Sequence, residues 1–245
     1  MNSMPVKLIL GVLLFTMATY AVPTNAKSAI TDASAAGKFL CLVFYEAQNT
    51  ALTAMSSAIT TFKKSSAIKV SVYQAKLNDP ANKEVAAKYG IQSGGDLPLV
   101  LIFAPNGVIT GGFPKAITAD QLKQSTGVSD LMLKVLKPLQ EQKVVLLAFQ
   151  NATTKASSES WAGVDQFVTD PKYKEQAAAI KADPSAAGSQ ELIKQCQLIS
   201  PLAEATVVVL LPPGRIGKVL TGKVTKTDIL AAIQSCAGGS CCPKK

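Results

Sequence analysis

Histidine is absent from all 245 residues. Its absence removes imidazole metal ligands, the Ser-His and Cys-His nucleophile pairs, and the side chain that ordinarily titrates near neutrality. Most hydrolase mechanisms lose their base. Tryptophan occurs once, and acidic residues are few, 16 against 25 basic, for a net charge of +9. The basic residues are scattered, with only Lys63-Lys64 and Lys244-Lys245 adjacent, so they read as a solvated surface and not as a nucleic-acid track. Paired carboxylates such as Asp165 and Asp170 have no matching acid-base partner in view. What is present is apolar: 48% hydrophobic and 17% charged residues suffice for one large core or two of ordinary size.

The N-terminus carries one early lysine, Lys7, an apolar run from Leu8 to Val22, and small residues at Thr24 and Ala26. This is the layout of a secretory signal peptide cut near Ala26. An apolar run of about 15 residues is short of the roughly 20 that cross a bilayer. The expected location is therefore periplasmic or secreted, with membrane attachment only through an uncleaved signal segment.

Two stretches downstream resemble one another. Phe39–Tyr45 and Val144–Phe149 are continuous apolar runs, the pattern of strands covered on both faces. Each is followed by a helical pattern, over 50–64 with Leu52, Met55, Ile59 and Phe62 at helical spacing, and over 157–168. Second strands follow at 68–75 and 177–182, stopped by Asp79-Pro80 and Asp183-Pro184. Helices over 82–88 and 189–196 come next. Third strands run from Leu97-Pro98 to Phe103 and from Thr206 to Leu211, with hairpin turns at Asn106-Gly107 and Pro212-Pro213-Gly214 and return strands ending at Gly112 and Gly222. Asn106-Gly107 suggests a turn with two positive-φ residues, and Thr118-Ala119-Asp120-Gln121 reads as a capping box. The order β-α-β-α-β-β-α occurs twice. A helix from Ser129 to Leu136 reaching Pro138 closes the first copy, placing the join at 137–142.

The run Phe44-Tyr45-Glu46-Ala47-Gln48-Asn49-Thr50-Ala51-Leu52, then Leu97-Pro98-Leu99, then Pro105-Asn106-Gly107 to Gly111-Gly112, resembles the thioredoxin superfamily. The second copy is similar in order and weaker in motif. The resemblance implies an α/β chain of two tandem thioredoxin-like domains, each a mixed sheet flanked by helices: a signal peptide at 1–26, domains at 36–136 and 143–235, and a Cys-rich tail at 236–245. In that family a Cys-x-x-Cys pair opens the first long helix opposite a cis-proline. By position, Asn49 and Leu52 stand where the cysteines belong, and Pro98 matches the cis-proline. In the second copy Asn151-Ala152-Thr153-Thr154 fills the turn and Thr206 is expected to replace the proline. An amide is not a redox nucleophile, so a conventional oxidoreductase is not expected. The arrangement resembles the non-catalytic domains of protein disulfide isomerases, which implies a groove at Asn49, Thr50, Leu97 and Pro98 that binds protein or peptide clients.

Five cysteines remain. Cys41, inside the first strand, reads as a buried small hydrophobe, and Cys196 lies near a helix end without an obvious partner. Cys236, Cys241 and Cys242 cluster around Gly238-Gly239. A disulfide from Cys236 to Cys241 or Cys242 is sterically open, and the odd cysteine leaves a free thiol or an intermolecular bond to a partner or second copy. Clustered thiolates also suit a soft cation such as Cu(I), although three ligands fall short of a zinc site. No other cofactor is expected. The second functional reading is thus thiol-disulfide or soft-metal handling through the tail. Asn151-Ala152-Thr153 is a glycosylation sequon, meaningful only in a eukaryotic secretory route, and Trp161 is read as helix packing.

Overall fold

The computed structural model describes residues 22–237. The apolar run of the expected signal segment, Val22 apart, lies outside the described residues, as do Cys241 and Cys242. Among the described residues no helix is long and apolar enough to cross a membrane.

The first unit opens with α1 (Ala26–Ala35), then β1 (Phe39–Tyr45), α2 (Thr50–Ser65), β2 (Val70–Lys76), a 3-10 turn at Pro80–Asn82, α3 (Lys83–Lys88), β3 (Leu99–Phe103), β4 (Ile109–Pro114) and α4 (Ala119–Thr126). The second repeats it with α5 (Asp130–Gln140), β5 (Val144–Phe149), α6 (Ser157–Val168), β6 (Ala177–Ala182), α7 (Ala187–Gln195), β7 (Thr206–Leu211), β8 (Arg215–Thr221) and α8 (Lys226–Ala237). The sheets are ordered β2-β1-β3-β4 and β6-β5-β7-β8. In each, the first pairing is parallel and the next two antiparallel. Two mixed sheets, each flanked by helices, match the tandem thioredoxin-like α/β architecture that the sequence resemblance implies.

The apolar strands are central because each feeds two cores. Side chains of a strand alternate between faces, so Phe39, Cys41 and Val43 pack with α2 and α4 while Leu40, Leu42 and Phe44 pack with α1 and α3. In β5, Val145, Leu147 and Phe149 face α5 and α7, and Leu146 and Ala148 face α6 and α8.

A helix precedes the first strand of each sheet and packs on it. α1 packs on β1 and β2, and α5 packs on β5, β6 and α7. α5 continues past Pro138 to Gln140.

α5 also ties the units together. Val135 and Leu139 join the core against β5, whereas Leu133 joins that of the first sheet. Gln140 closes the outer edge of β4: its Oε1 accepts from the Ile109 N–H at 2.9 Å and its Nε2 donates to the Ile109 carbonyl at 2.7 Å. A side-chain amide thereby satisfies backbone groups that an edge strand leaves open.

The hairpin at Asn106-Gly107 differs from expectation. Only Gly107 has positive φ, at 82°, and the turn is closed by Gly107 N–H to the Ala104 carbonyl at 2.9 Å. With Pro105 in its second position the turn is of the right-handed kind, followed by glycine and a register shift at Ile102/Phe103, the three-residue alternative to a two-residue loop. The Thr118–Gln121 capping box is present as read.

Candidate functional site

Asn49 ends the turn after β1 and caps α2. Its Oδ1 accepts from the Leu52 N–H at 2.8 Å, and its carbonyl accepts from the Thr53 N–H at 3.1 Å. The exposed side chain at the expected nucleophile position thus does the work of an N-cap. Leu52 is 1% exposed and belongs to the core beneath.

Leu97-Pro98 has a cis peptide bond. Pairing of Phe44 with Leu99 brings this segment to the end of the sheet where β1 enters the turn to α2. Glu46 Oε1 accepts from the Gly94 N–H at 3.0 Å, joining that turn to the loop before Pro98. The topology therefore sets Asn49 and Thr50 at the same end of the sheet as Leu97 and Pro98. Pro98 is buried, Leu97 half-buried, and Asn49 and Thr50 are exposed. The Pro98 carbonyl accepts from the Lys115 N–H at 2.7 Å, whereas the Leu97 carbonyl has no hydrogen-bond partner among the described residues.

The second unit is built differently at the same place. Phe149 pairs with Thr206 as Phe44 pairs with Leu99, so the residue matching Pro98 is Ala205, not Thr206. The hydrogen bonds agree, since Gly222 N–H donates to the Ala205 carbonyl at 2.9 Å as Lys115 does to Pro98. Thr206 is instead the first residue of β7. Ala205 N–H donates to the Lys155 carbonyl at 2.9 Å, and Lys155 N–H donates to the Ala203 carbonyl at 3.0 Å. Lys155 thereby closes an edge that the first unit leaves open, because Pro98 has no N–H to offer. Neither Lys155 nor Ala205 carried a sequence signal.

The preceding turn is held internally. Asn151 Oδ1 accepts from the N–H groups of Thr153 and Thr154, and its Nδ2 donates to Asp183 Oδ1 at 2.9 Å. The sequon asparagine is thus engaged in its own turn, the habit of asparagine in loops. Asp183 is held below its ordinary 3.8 by hydrogen bonds from the Ser185 side chain and backbone, and by that of Asn151. Asp170, one of the two carboxylates considered for acid-base work, is ion-paired with Lys226. The hydrogen bond from Lys226 lowers its pKa, so it is a fixed anion and not a proton donor near neutrality. Trp161 packs on the α6–α8 side of the second sheet, as expected, and also carries the Lys181 ammonium over its ring, 4.2 Å from the centroid.

Cys41 and Cys196 are buried free thiols. Burial, which disfavours the thiolate, pushes Cys41 up to about 12 and Cys196 to about 11. Cys236 falls within the last turn of α8; its two neighbours in the tail lie outside the described residues. Among the described residues, no group of three or more His, Cys, Asp or Glu is placed to hold a metal ion, and no Cys-x-x-Cys pair occurs.

No family model matches the chain, and no curated protein matches it. Solved structures do. Thioredoxin-2 of the malaria parasite, described as a component of its protein secretion machinery, is 18% identical over 35% of this chain and 77% of its own, with a TM-score of 0.29. The zinc-bound form of human ERp44 is 12% identical over 89% of this chain and 59% of its own, with a TM-score of 0.36. The first two thioredoxin domains of Saccharomyces cerevisiae Eps1p are 10% identical over 88% of this chain and 98% of that one, with a TM-score of 0.32.

Proposed function

We propose that this chain is an exported, secreted or periplasmic, protein of two thioredoxin-like domains that binds extended protein or peptide segments at its first unit and does not exchange disulfides there. One observation carries the reading: a neutral Asn49, committed to capping α2, and a core-buried Leu52 occupy the two positions where redox thiols would sit. The open Leu97 carbonyl beside them offers a backbone acceptor to an added strand, the means by which β-augmentation gains affinity. Asn49, Thr50, Leu97 and Pro98 form the proposed groove.

A second reading is favoured by the state of the other cysteines. With Cys41 and Cys196 buried and their thiols held neutral, any thiol-disulfide or soft-metal chemistry falls to Cys236, Cys241 and Cys242, including a disulfide to a partner or second copy.

The two are separated by assaying disulfide reduction and Cu(I) retention in the full mature protein and in a form truncated after Ser235, alongside a peptide array. The binding reading expects both forms to be redox-inert and array peptides to be lost on Thr50→Arg. Reduction or Cu(I) retention that disappears with the tail, without peptide binding, establishes the tail chemistry instead.

A further inference from the structure

Ile109 and Ile216 hold matching places in the two units. Each stands opposite the strand residue that follows a register shift, Phe103 in one sheet and Leu210 in the other, so both present their N–H and carbonyl in the same direction, away from the neighbouring strand. At Ile109 the two groups are met by the Gln140 amide. At Ile216 neither outward group has a partner among the described residues, and β8 is the last strand of its sheet.

A groove of about 1090 Å³ follows this edge, lined by β8 together with Leu198, Leu202 and Ser235. Ile216 and Val219 lie with Leu198 and Leu202 on the α5–α7 side of the sheet, and all four are only partly buried. Arg215 and Lys218 stand opposite Leu211 and Val209, which belong to the α6–α8 side. Residues directly opposite share a face, so one face of the edge is apolar and the other cationic. Both cations are exposed and have no ion pair among the described residues. No acidic side chain lines the groove. Asp228, whose carboxyl feels the Lys218 charge, is itself held by the Thr225 hydroxyl and N–H.

We infer that the β8 edge takes an extended segment of another protein as an added strand, one whose alternate residues are apolar and acidic. The first unit shows the fit, because the Gln140 amide accepts from the Ile109 N–H and donates to its carbonyl as a peptide group of a neighbouring strand does. Main-chain bonds of that kind supply affinity, and alternate side chains supply specificity. Apolar side chains of the segment enter the groove against Ile216 and Val219, and acidic ones meet Arg215 and Lys218. The chain's own C-terminal segment fits poorly. α6 joins β5 to the parallel β6, and α8 lies on the same side of the sheet. A strand continuing from α8 parallel to β8 moves towards the opposite edge and makes a left-handed crossover, which folds avoid. A second copy's β8 fits no better, since it sets Arg215 and Lys218 against like charges. This surface lies in the second unit and does not rest on the groove at Pro98.

The full mature protein is titrated into a fluorescein-labelled, end-blocked Val-Glu-Val-Glu-Val-Glu-Val peptide, following anisotropy. The expected result is saturable binding, weakened by about tenfold in Lys218→Glu and kept in Lys218→Arg, the scale of a cross-strand attraction turned into a repulsion. Exchanging the glutamates of the peptide for lysine weakens binding likewise. Methylating one alternate set of peptide amides abolishes binding and methylating the other set leaves it, because only alternate amides of a strand face its neighbour. Equal binding of the glutamate and lysine peptides, indifference to Lys218→Glu, the same effect from both methylated sets, no saturable change at millimolar protein, or self-association of the protein that excludes the peptide overturns the inference. Thr50→Arg leaves this titration unaltered, so the failure of either site is told apart from the other.

Discussion

Ala205 and Pro98 occupy the same position in the two units and differ in one N–H group. Ala205 donates it to the Lys155 carbonyl at 2.9 Å, and Lys155 returns a bond to Ala203 at 3.0 Å. Counting equally from Phe44 and Phe149 sets Thr50 against Lys155, yet α2 starts at Thr50 while α6 waits until Ser157. The residues that begin a helix in the first unit are spent on an edge bridge in the second. Hydrogen exchange tests this directly: the Ala205 and Lys155 amides are expected to exchange slowly and together. Rates equal to those of an unprotected turn would remove the bridge.

Asn49→Ala is expected to destabilise the protein by about 1 kcal/mol, the usual worth of an N-cap side chain. Asn49→Asp keeps the acceptor and adds a negative charge where the helix dipole favours one, so it should match or exceed the parent. Urea unfolding measures both; equal stability of Asn49→Ala and the parent would mean that the Leu52 N–H finds another acceptor without cost.

How much of this was legible depended on what each element packs against. Phe39–Tyr45 and Val144–Phe149 were visible because burial on both faces leaves an unbroken apolar run, and the Thr118–Gln121 box because its chemistry is local. α1 was missed since it buries Ala26, Ala29 and Ala33, residues too small to stand out, against groups far away in sequence such as Asn82. α5 could not be given to one unit from sequence, because Leu133 packs in the first core and Val135 and Leu139 in the second. The place of Ala205 could not be counted from sequence, because α7 is longer than α3, nine residues against six, and only strand pairing fixes the register. Lys181 belongs to no motif; its place over the Trp161 ring exists only once the chain is folded.

Cys41 and Cys196 should resist alkylation at pH 8 in the native protein, leaving the tail cysteines as the reactive set. The sign of the pH effect follows from the direction of the shift. Burial raises Cys41 from 9.0 to about 12, so the fold favours the neutral thiol. That contribution is whole below pH 9 and is lost as the pH rises towards 12. Iodoacetamide labelling read by peptide mass, with and without denaturant, checks the order; rapid native labelling of Cys41 would contradict its burial.

Gly163 sets the spacing between α6 and the chain entering α8. A Cβ built there lies 2.1 Å from the Val224 carbonyl oxygen and 2.9 Å from the Thr225 Cα, and backbone cannot swing aside as a flexible side chain can. Helix propensity alone predicts that Gly163→Ala stabilises by about 1 kcal/mol. Overpacking typically costs about 1–3 kcal/mol, and this contact is severe enough for that term to win. The melting temperature is expected to fall; a rise would show that α6 can move away freely.

If the chain is exported as proposed, its mature N-terminus is expected to lie upstream of Asn25, not after Ala26. Asn25 caps α1, its Oδ1 accepting from the Ser28 N–H at 2.8 Å while its own N–H donates to Ser28 Oγ at 3.2 Å. Ala26 is 0% exposed, and its N–H donates to the buried Asn82 Oδ1 at 2.8 Å. A cut after Ala26 removes both and leaves the α-amino group of Lys27 at the start of a helix, where positive charge opposes the dipole. The lost cap costs about 1 kcal/mol, and the unpaired Asn82 oxygen a further 1–3 kcal/mol, roughly. Thr19-Tyr20-Ala21 supplies small residues at the two positions a signal peptidase reads, and a cut there keeps α1 whole. Intact-mass measurement of the exported protein locates the end; a chain beginning at Lys27 with undiminished stability would show that α1 does not depend on Asn25 or Ala26.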